Sequence, residues 1–282
     1  MVGGLGPPPG PRKPFLESRR LMDELVSRSR AILRREGFLG LARRGGRRVF
    51  APALLPFTIG SLRRKRAQTH TIVDALALAF SDRYRWLVGP WQSPYELTET
   101  LEVLRARRPR TVLEIGTCRG GGLFLYSLFA AEDATLVTVD LPGGPFGGGY
   151  APWRAPLYRS FARGSQRVEL VRGDSHRPDT FQRVERVLGG REVEFLFIDG
   201  DHSYDGVRAD FRMYSSLVCE GGVVAFHDIV PGPGAVVGGV PRFWQELKPS
   251  YEDAREFVQS WEGGSGGVGL LPSFRQAPPG SP

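Results

Sequence analysis

The sequence predicts an α/β fold: a Rossmann-like, seven-stranded, mostly parallel sheet with helices on both faces, an antiparallel hairpin at one edge and a helical N-terminal extension. Three observations predict it. From Thr111 onward, short apolar runs alternate with helical stretches, which implies right-handed crossovers between parallel strands. Several of those runs end in carboxylates or imidazoles, and in open α/β sheets ligands bind outside the carboxyl ends of the strands. Two last runs, Glu256–Gln259 and Val268–Leu271, flank a glycine-rich turn and read as the closing hairpin.

The elements follow in order. Residues 1–14 are Gly/Pro-rich and read as a disordered tail. Residues 15–70 form a basic helical extension, opening with an amphipathic helix from Phe15 to Glu36 that carries Leu21, Leu25, Ile32 and Leu33. Two readings of Phe38–Leu62 stay open: short helices packed on the main domain, or a membrane-surface element inserting Phe50, Leu54, Leu55 and Phe57. Residues 71–273 are the main domain, and 274–282 a tail. Helices are expected at Thr71–Phe80, Ser93–Arg107, Gly121–Ala131, Trp153–Ala162, Asp179–Leu188 and Tyr204–Val218. Strands are expected at Thr111–Ile115, Thr135–Val139, Val168–Val171, Val193–Ile198 and Val223–Phe226.

The formal charge is +8, and the excess sits in arginine bursts between Arg12 and Arg66. Such a stretch suits anionic lipid, nucleic acid or an acidic partner, or is simply a solvated helical surface. Cys118 and Cys219 lack the spacing of a zinc site or redox pair, which predicts a reducing, cytoplasmic home. No run is apolar enough for a membrane span or signal peptide.

Val112–Ile115 leads into a turn of the form Glu-x-Gly-x-x-x-Gly, comprising Glu114, Gly116 and Gly120. This is neither a dinucleotide fingerprint nor a P-loop, and the carboxylate before the turn suits a cationic ligand over a polyphosphate. Asp140 ends the second strand, where a carboxylate can accept ribose hydroxyls. Asp174 and Ser175 end the third, placed for an adenine amine; the alternative for both aspartates is simple capping. The fourth and fifth strands end in Asp199-Gly200-Asp201-His202-Ser203-Tyr204 and His227-Asp228, so neighbouring ends can share one metal or proton-transfer site.

In this order, these segments resemble the class I S-adenosylmethionine-dependent methyltransferases, and within them the macrolide-sugar and cephalosporin-pathway O-methyltransferase group. The resemblance covers roughly residues 71 to 272. It implies S-adenosylmethionine bound by Glu114, Gly116, Gly120, Asp140, Asp174 and Ser175. It also implies a divalent cation, Mg²⁺ first, on Asp199, His227 and Asp228, with His202 as the base acting on the acceptor. In the group it resembles, this location usually holds a carboxylate pair or Asp-Asn, and His227 departs from that pattern. Asp201 either orients His202 or joins the ligands. The loop Pro142–Tyr150, with Trp153 and Arg154, is a candidate lid over the acceptor, and Gly232–Gly239 a second wall.

The function expected is methylation of a small-molecule hydroxyl, of sugar or natural-product type, by a homo-oligomer. The basic extension allows peripheral membrane contact, and nucleic acid is not the expected partner. The competing readings are an RNA methyltransferase gripping through the basic extension and a cofactor-binding subunit without catalysis. Against the former, no Asn-Pro-Pro-Tyr-type amine site is present.

Overall fold

The computed structural model describes residues 52–143, 149–262 and 266–274. The chain divides into two compact units, Met1–Leu55 and Pro56–Pro282. Of the first, 52–55 are described and helical. The expected tail, the amphipathic helix and the arginine bursts up to Arg48 lie outside the described residues, as do the middle of the glycine loop and residues 275–282.

The second unit begins with α1, helical over 56–66. Arg66 Nη1 donates to the carbonyls of Ser160 and Phe161 at 3.1 and 2.8 Å, so this helix packs as part of the same unit. α2 (Ile72–Phe80) starts at a reciprocal capping box between Thr71 and Asp74. α3 (Arg85–Val88) is a single turn outside the sequence expectation. α4 (Pro94–Arg107) has Pro94 in its first turn and a second capping box, Ser93 with Glu96. Next come β1 (Thr111–Ile115), α5 (Gly121–Phe129), β2 (Thr135–Asp140), α6 (Ala155–Arg159), β3 (Arg167–Arg172) and α7 (Pro178–Leu188). They are followed by β4 (Val193–Ile198), α8 (Tyr204–Tyr214), β5 (Val218–His227), α9 (Gly234–Val237), α10 (Val240–Leu247), β6 (Arg255–Phe257) and β7 (Val268–Leu271).

The sheet order is β3-β2-β1-β4-β5-β7-β6. β1 to β5 are parallel; β7 runs antiparallel to β5, and β6 antiparallel to β7 at the edge. The connections change direction between β1 and β4, the topological switch point where open sheets bind ligands. Both faces are buried, which explains the continuous apolar runs. Leu113, Ile115, Leu196, Ile198, Val224 and Phe226 face one core, shared with Val207 and Phe211 of α8 and Trp244 of α10. The alternate residues face the other side, where Tyr126 of α5 packs on Phe195 and Phe197 at ring distances of 5.5 and 5.6 Å.

The largest departures from the expected boundaries lie around β5, and β6 is Arg255–Phe257 in place of Glu256–Gln259. α8 stops at Tyr214, and β5 begins at Val218 instead of Val223. A 3₁₀ turn, Ser215–Leu217, ends the helix. The strand then absorbs a register shift, with Val193 opposite Val218 but Phe195 opposite Val223. Gly221, at φ 75°, sits in that bulge, so the polar Glu220-Gly221-Gly222 break hides a continuous strand. The expected single helix Trp153–Ala162 is a 3₁₀ turn, Pro152–Arg154, followed by the short α6. Pro152 and Pro156 each start a new turn, because neither has an N–H to continue a helix from before it.

Candidate active site

The strand ends of the parallel sheet open onto a cavity of about 430 Å³. Its lining includes Gly116, Asp140, Asp174, Ser175, Asp199, His202, His227 and Asp228. Strands that share a direction deliver their last residues to one edge, and this is why they meet.

Gly116 leaves β1 at φ 99°, and a Cβ there would lie 1.9 Å from the Asp199 carbonyl oxygen. Only glycine lets the β1 and β4 loops approach this closely. Asp140 is buried and faces the cavity. Its Oδ2 accepts from Cys118 N at 2.9 Å and its Oδ1 from Gly149 N at 2.8 Å. Burial lifts its pKa to about 6 against these two bonds. Asp174 Oδ1 accepts from His176 N at 3.0 Å, and the Ser175 carbonyl accepts from Tyr214 Oη at 2.9 Å.

Glu114 and Gly120 are not part of the cavity lining. Strand alternation turns Glu114 toward α5, where Thr138 Oγ1 donates to its Oε2 at 2.9 Å. Burial pushes its pKa well above the usual carboxylate range. A Cβ on Gly122 would come within 2.4 Å of Glu114 Oε1, so the helix start is shaped around this carboxyl. Gly120 caps α5 at φ 74°, and a Cβ there would meet the Tyr158 ring at 2.6 Å. These two residues act by building the turn.

At the β4 and β5 ends, two imidazoles sit among carboxylates. His202 Nδ1 donates to the Val236 carbonyl at 2.5 Å, while Nε2 faces Asp199 Oδ1 at 3.2 Å. His227 Nδ1 lies 3.4 Å from Asp199 Oδ1 and 3.5 Å from Asp228 Oδ2, and its Nε2 3.7 Å from Glu96 Oε2. Burial opposes charge on both rings, but Asp199 outweighs it. His202 rises to about 9 and His227 well above its usual value. Burial likewise opposes the Asp199 carboxylate, yet the neighbouring His227 and His202 hold it well below its usual range. Asp228, at φ 61°, accepts from Gly266 N at 2.9 Å. Ligand atoms of Asp199, His202 and Asp228 lie within 4.8 Å of one another, close enough to share one ion; this group contains His202, the expected base, where the sequence expectation had His227. The two carboxylates alone suit Mg²⁺, and adding an imidazole nitrogen suits Mn²⁺ or Fe²⁺.

Asp201 finds a local job: its Oδ1 accepts from Ser203 N at 2.8 Å, shaping the turn that starts α8. The expected lid is only partly in place. Tyr150 is buried edge-on against Tyr158 at 4.8 Å, and Arg154 Nη1 turns inward to the Leu87 carbonyl at 2.9 Å. Neither side chain is presented to an acceptor. Residues 144–148 lie outside the described ones. The expected second wall is there, with Ala235 and Val236 of α9 lining the cavity.

Sequence reasoning missed several site residues. Gln92 Nε2 donates to Asp199 Oδ2 at 2.9 Å. Trp91, 67% exposed, stands at the cavity rim with its Nε1 3.2 Å from Cys118 Sγ and Arg119 over its ring. His176, given no role from sequence, lines the cavity with Nε2 3.2 Å from Asp210 Oδ1. The Ser-x-x-Glu capping pattern at Ser93 and Glu96 was the one local signal for Glu96, and it reports only the helix start.

A family model described as a methyltransferase domain matches residues 113–229. An uncharacterized protein of Sinorhizobium fredii is 28% identical over 148 residues, covering 51% of this chain and 16% of that protein. An uncharacterized protein of Acanthamoeba polyphaga mimivirus is 27% identical over 134 residues, covering 48% of this chain and 58% of that protein. The chain therefore spans only part of the length of both. Among solved structures, the O-methyltransferase from Bacillus cereus in complex with SAH aligns at TM-score 0.49 and 18% identity, over 81% of this chain and 97% of that one. TomG, an O-methyltransferase from Streptomyces achromogenes involved in tomaymycin synthesis and solved with SAM, aligns at 0.48 and 21%, over 72% and 89%.

Proposed function

We propose that this chain, whose residues 113–229 match a methyltransferase domain, is a class I S-adenosylmethionine-dependent enzyme that methylates a hydroxyl of a small molecule. The observation that carries this reading is the junction of two unlike ends in one cavity. One end, at Gly116, Asp140 and Asp174, suits a nucleoside with a cationic sulfonium. The other, at Asp199, His202, His227 and Asp228, suits removal of a proton. S-adenosylmethionine supplies the methyl group, whose bond to sulfur breaks in line as the acceptor oxygen bonds to carbon.

The chain's own residues do the rest. Asp140 accepts hydrogen bonds from the ribose, while its ties to Cys118 and Gly149 fix both flanking loops. Gly116 keeps the backbone clear beside the methionine portion. The acceptor enters between Trp91 and Val236, and its proton passes to His202 Nε2, the Val236 carbonyl holding Nδ1–H on the opposite side. A divalent cation held by Asp199, His227 and Asp228 would acidify and orient the acceptor hydroxyl. His202 serves as the base in its neutral form, which its raised pKa of about 9 populates as pH increases.

Calorimetry is expected to show S-adenosylmethionine binding that Asp140→Ala weakens by about 10- to 100-fold, the loss of hydrogen bonds to a charged group. No binding by the intact chain would sink the proposal. Chelation is expected to stop methyl transfer to a sugar or polyketide hydroxyl, and Mg²⁺ or Mn²⁺ to restore it; indifference to EDTA would remove the cation and leave the His202 base.

A further inference from the structure

We propose that Glu96 is a positioning residue that holds the His227 ring with Nδ1 toward Asp199 and Asp228. The inference rests on the reading that these residues form the hydroxyl-activating end. Glu96 belongs to α4, far in sequence from every strand-end residue, yet it is only 4% exposed. As the third residue of its helix it needs one oxygen for the cap: Oε2 accepts from Ser93 N at 2.9 Å. A simple cap would leave the other oxygen in water. Here Oε1 accepts from Gly267 N at 2.9 Å, 171 positions away, in the turn before β7. A Cβ on neighbouring Gly266 would press on Oε1 at 3.0 Å. Two separate elements thus clamp one carboxylate.

The clamped carboxylate faces His227. The Nε2 atom of His227 is buried and has no hydrogen-bond partner among the described residues, and Glu96 Oε2 is the anion beside it at 3.7 Å. A carboxylate behind an imidazole fixes which way the ring points, as in sites where histidine serves a metal or a substrate. With Nε2–H turned to Glu96, Nδ1 is left for the shared edge with Asp199 and Asp228.

The test uses the full chain with ¹⁵N-labelled histidine; the four histidines are readily assigned. Glu96→Gln is expected to move the His227 Nε2 resonance and leave those of His70 and His176 in place. Turnover should fall roughly 10- to 100-fold, the usual cost of losing such a partner, while S-adenosylmethionine affinity holds. Glu96→Asp should recover part of the loss. In a His227→Asn background, Glu96→Gln should add no further loss, because the two act as one unit. An unmoved His227 resonance in both Glu96 variants overturns the inference. So does a parallel loss of cofactor binding and turnover that Glu96→Asp does not relieve, which would mark a helix cap and nothing more. If the intact chain methylates no hydroxyl, the function reading falls, and the His227 resonance still decides the role of Glu96.

Discussion

Replacing His176 by glutamine tests whether the wall beneath Asp174 and Ser175 is held by charge. Asp210, fully buried on α8, faces the His176 ring at 3.2 Å; Asp174 and Asp201 are the other acidic groups around it. The Asp210 carboxylate beside the ring is the main cause that lifts His176 from 6.5 to about 9, against the opposing effect of burial. The rise of 9 − 6.5 = 2.5 corresponds to at most about 3.4 kcal/mol, at ~1.36 kcal/mol for each tenfold change in proton affinity. The side chain is 29% exposed and opens onto the cavity, so screening reduces this to about 1–2 kcal/mol.

The sign follows from linkage. The folded pKa lies above the unfolded one, so the stabilisation is complete below about pH 6.5 and disappears as pH rises through about 9. At ~2–4 °C per kcal/mol for a chain of this size, it is worth roughly 2–8 °C in Tm. Scanning calorimetry on the native chain and His176→Gln, each well below pH 6.5 and above pH 9, gives the number directly. The other titrations cancel in the difference between the two proteins. The Tm gap is expected to narrow by that amount toward high pH. A gap that stays constant with pH would show that the ring is held by packing alone, and the charge argument would be wrong.

Two further substitutions probe the geometry. Gly116→Ala places a methyl 1.9 Å from the Asp199 carbonyl at a backbone φ of 99°, and is expected to cost about 3 kcal/mol or more, read as urea midpoint with unchanged slope. Trp91→Ala removes the exposed ring at the cavity rim and is expected to raise the acceptor KM by roughly 2- to 10-fold, the range of one aromatic contact. Cofactor affinity should be unchanged, and a Trp91 variant with normal acceptor KM would place the acceptor elsewhere.

What could be read in advance depended on how far apart in sequence the causes lie. β4 is Val193–Ile198, as its apolar run requires, since a strand covered on both faces has no polar register to blur its ends. β5 looks shorter in the sequence than it is because its bulge interposes Glu220, Gly221 and Gly222 between two apolar pieces, and only pairing with β4 joins them. The site divides in the same way. Asp140, Asp174, Asp199, His227 and Asp228 meet because parallel strands must end on one edge, which topology dictates once the strands are known. Glu114 precedes a strand end by one residue, and alternation sends it to α5 instead of the cavity. Asp201 and His202 are adjacent and equally polar. One is spent on the Ser203 amide in its own turn, and the other is aimed by the Val236 carbonyl 34 positions away. Gln92, Glu96 and Asp210 lie on helices or their approaches, where capping or amphipathic spacing already accounts for a polar residue. Their second partners are Asp199, Gly267 and His176, each brought near by the fold alone, so a local pattern explains the presence of these side chains without disclosing what they touch.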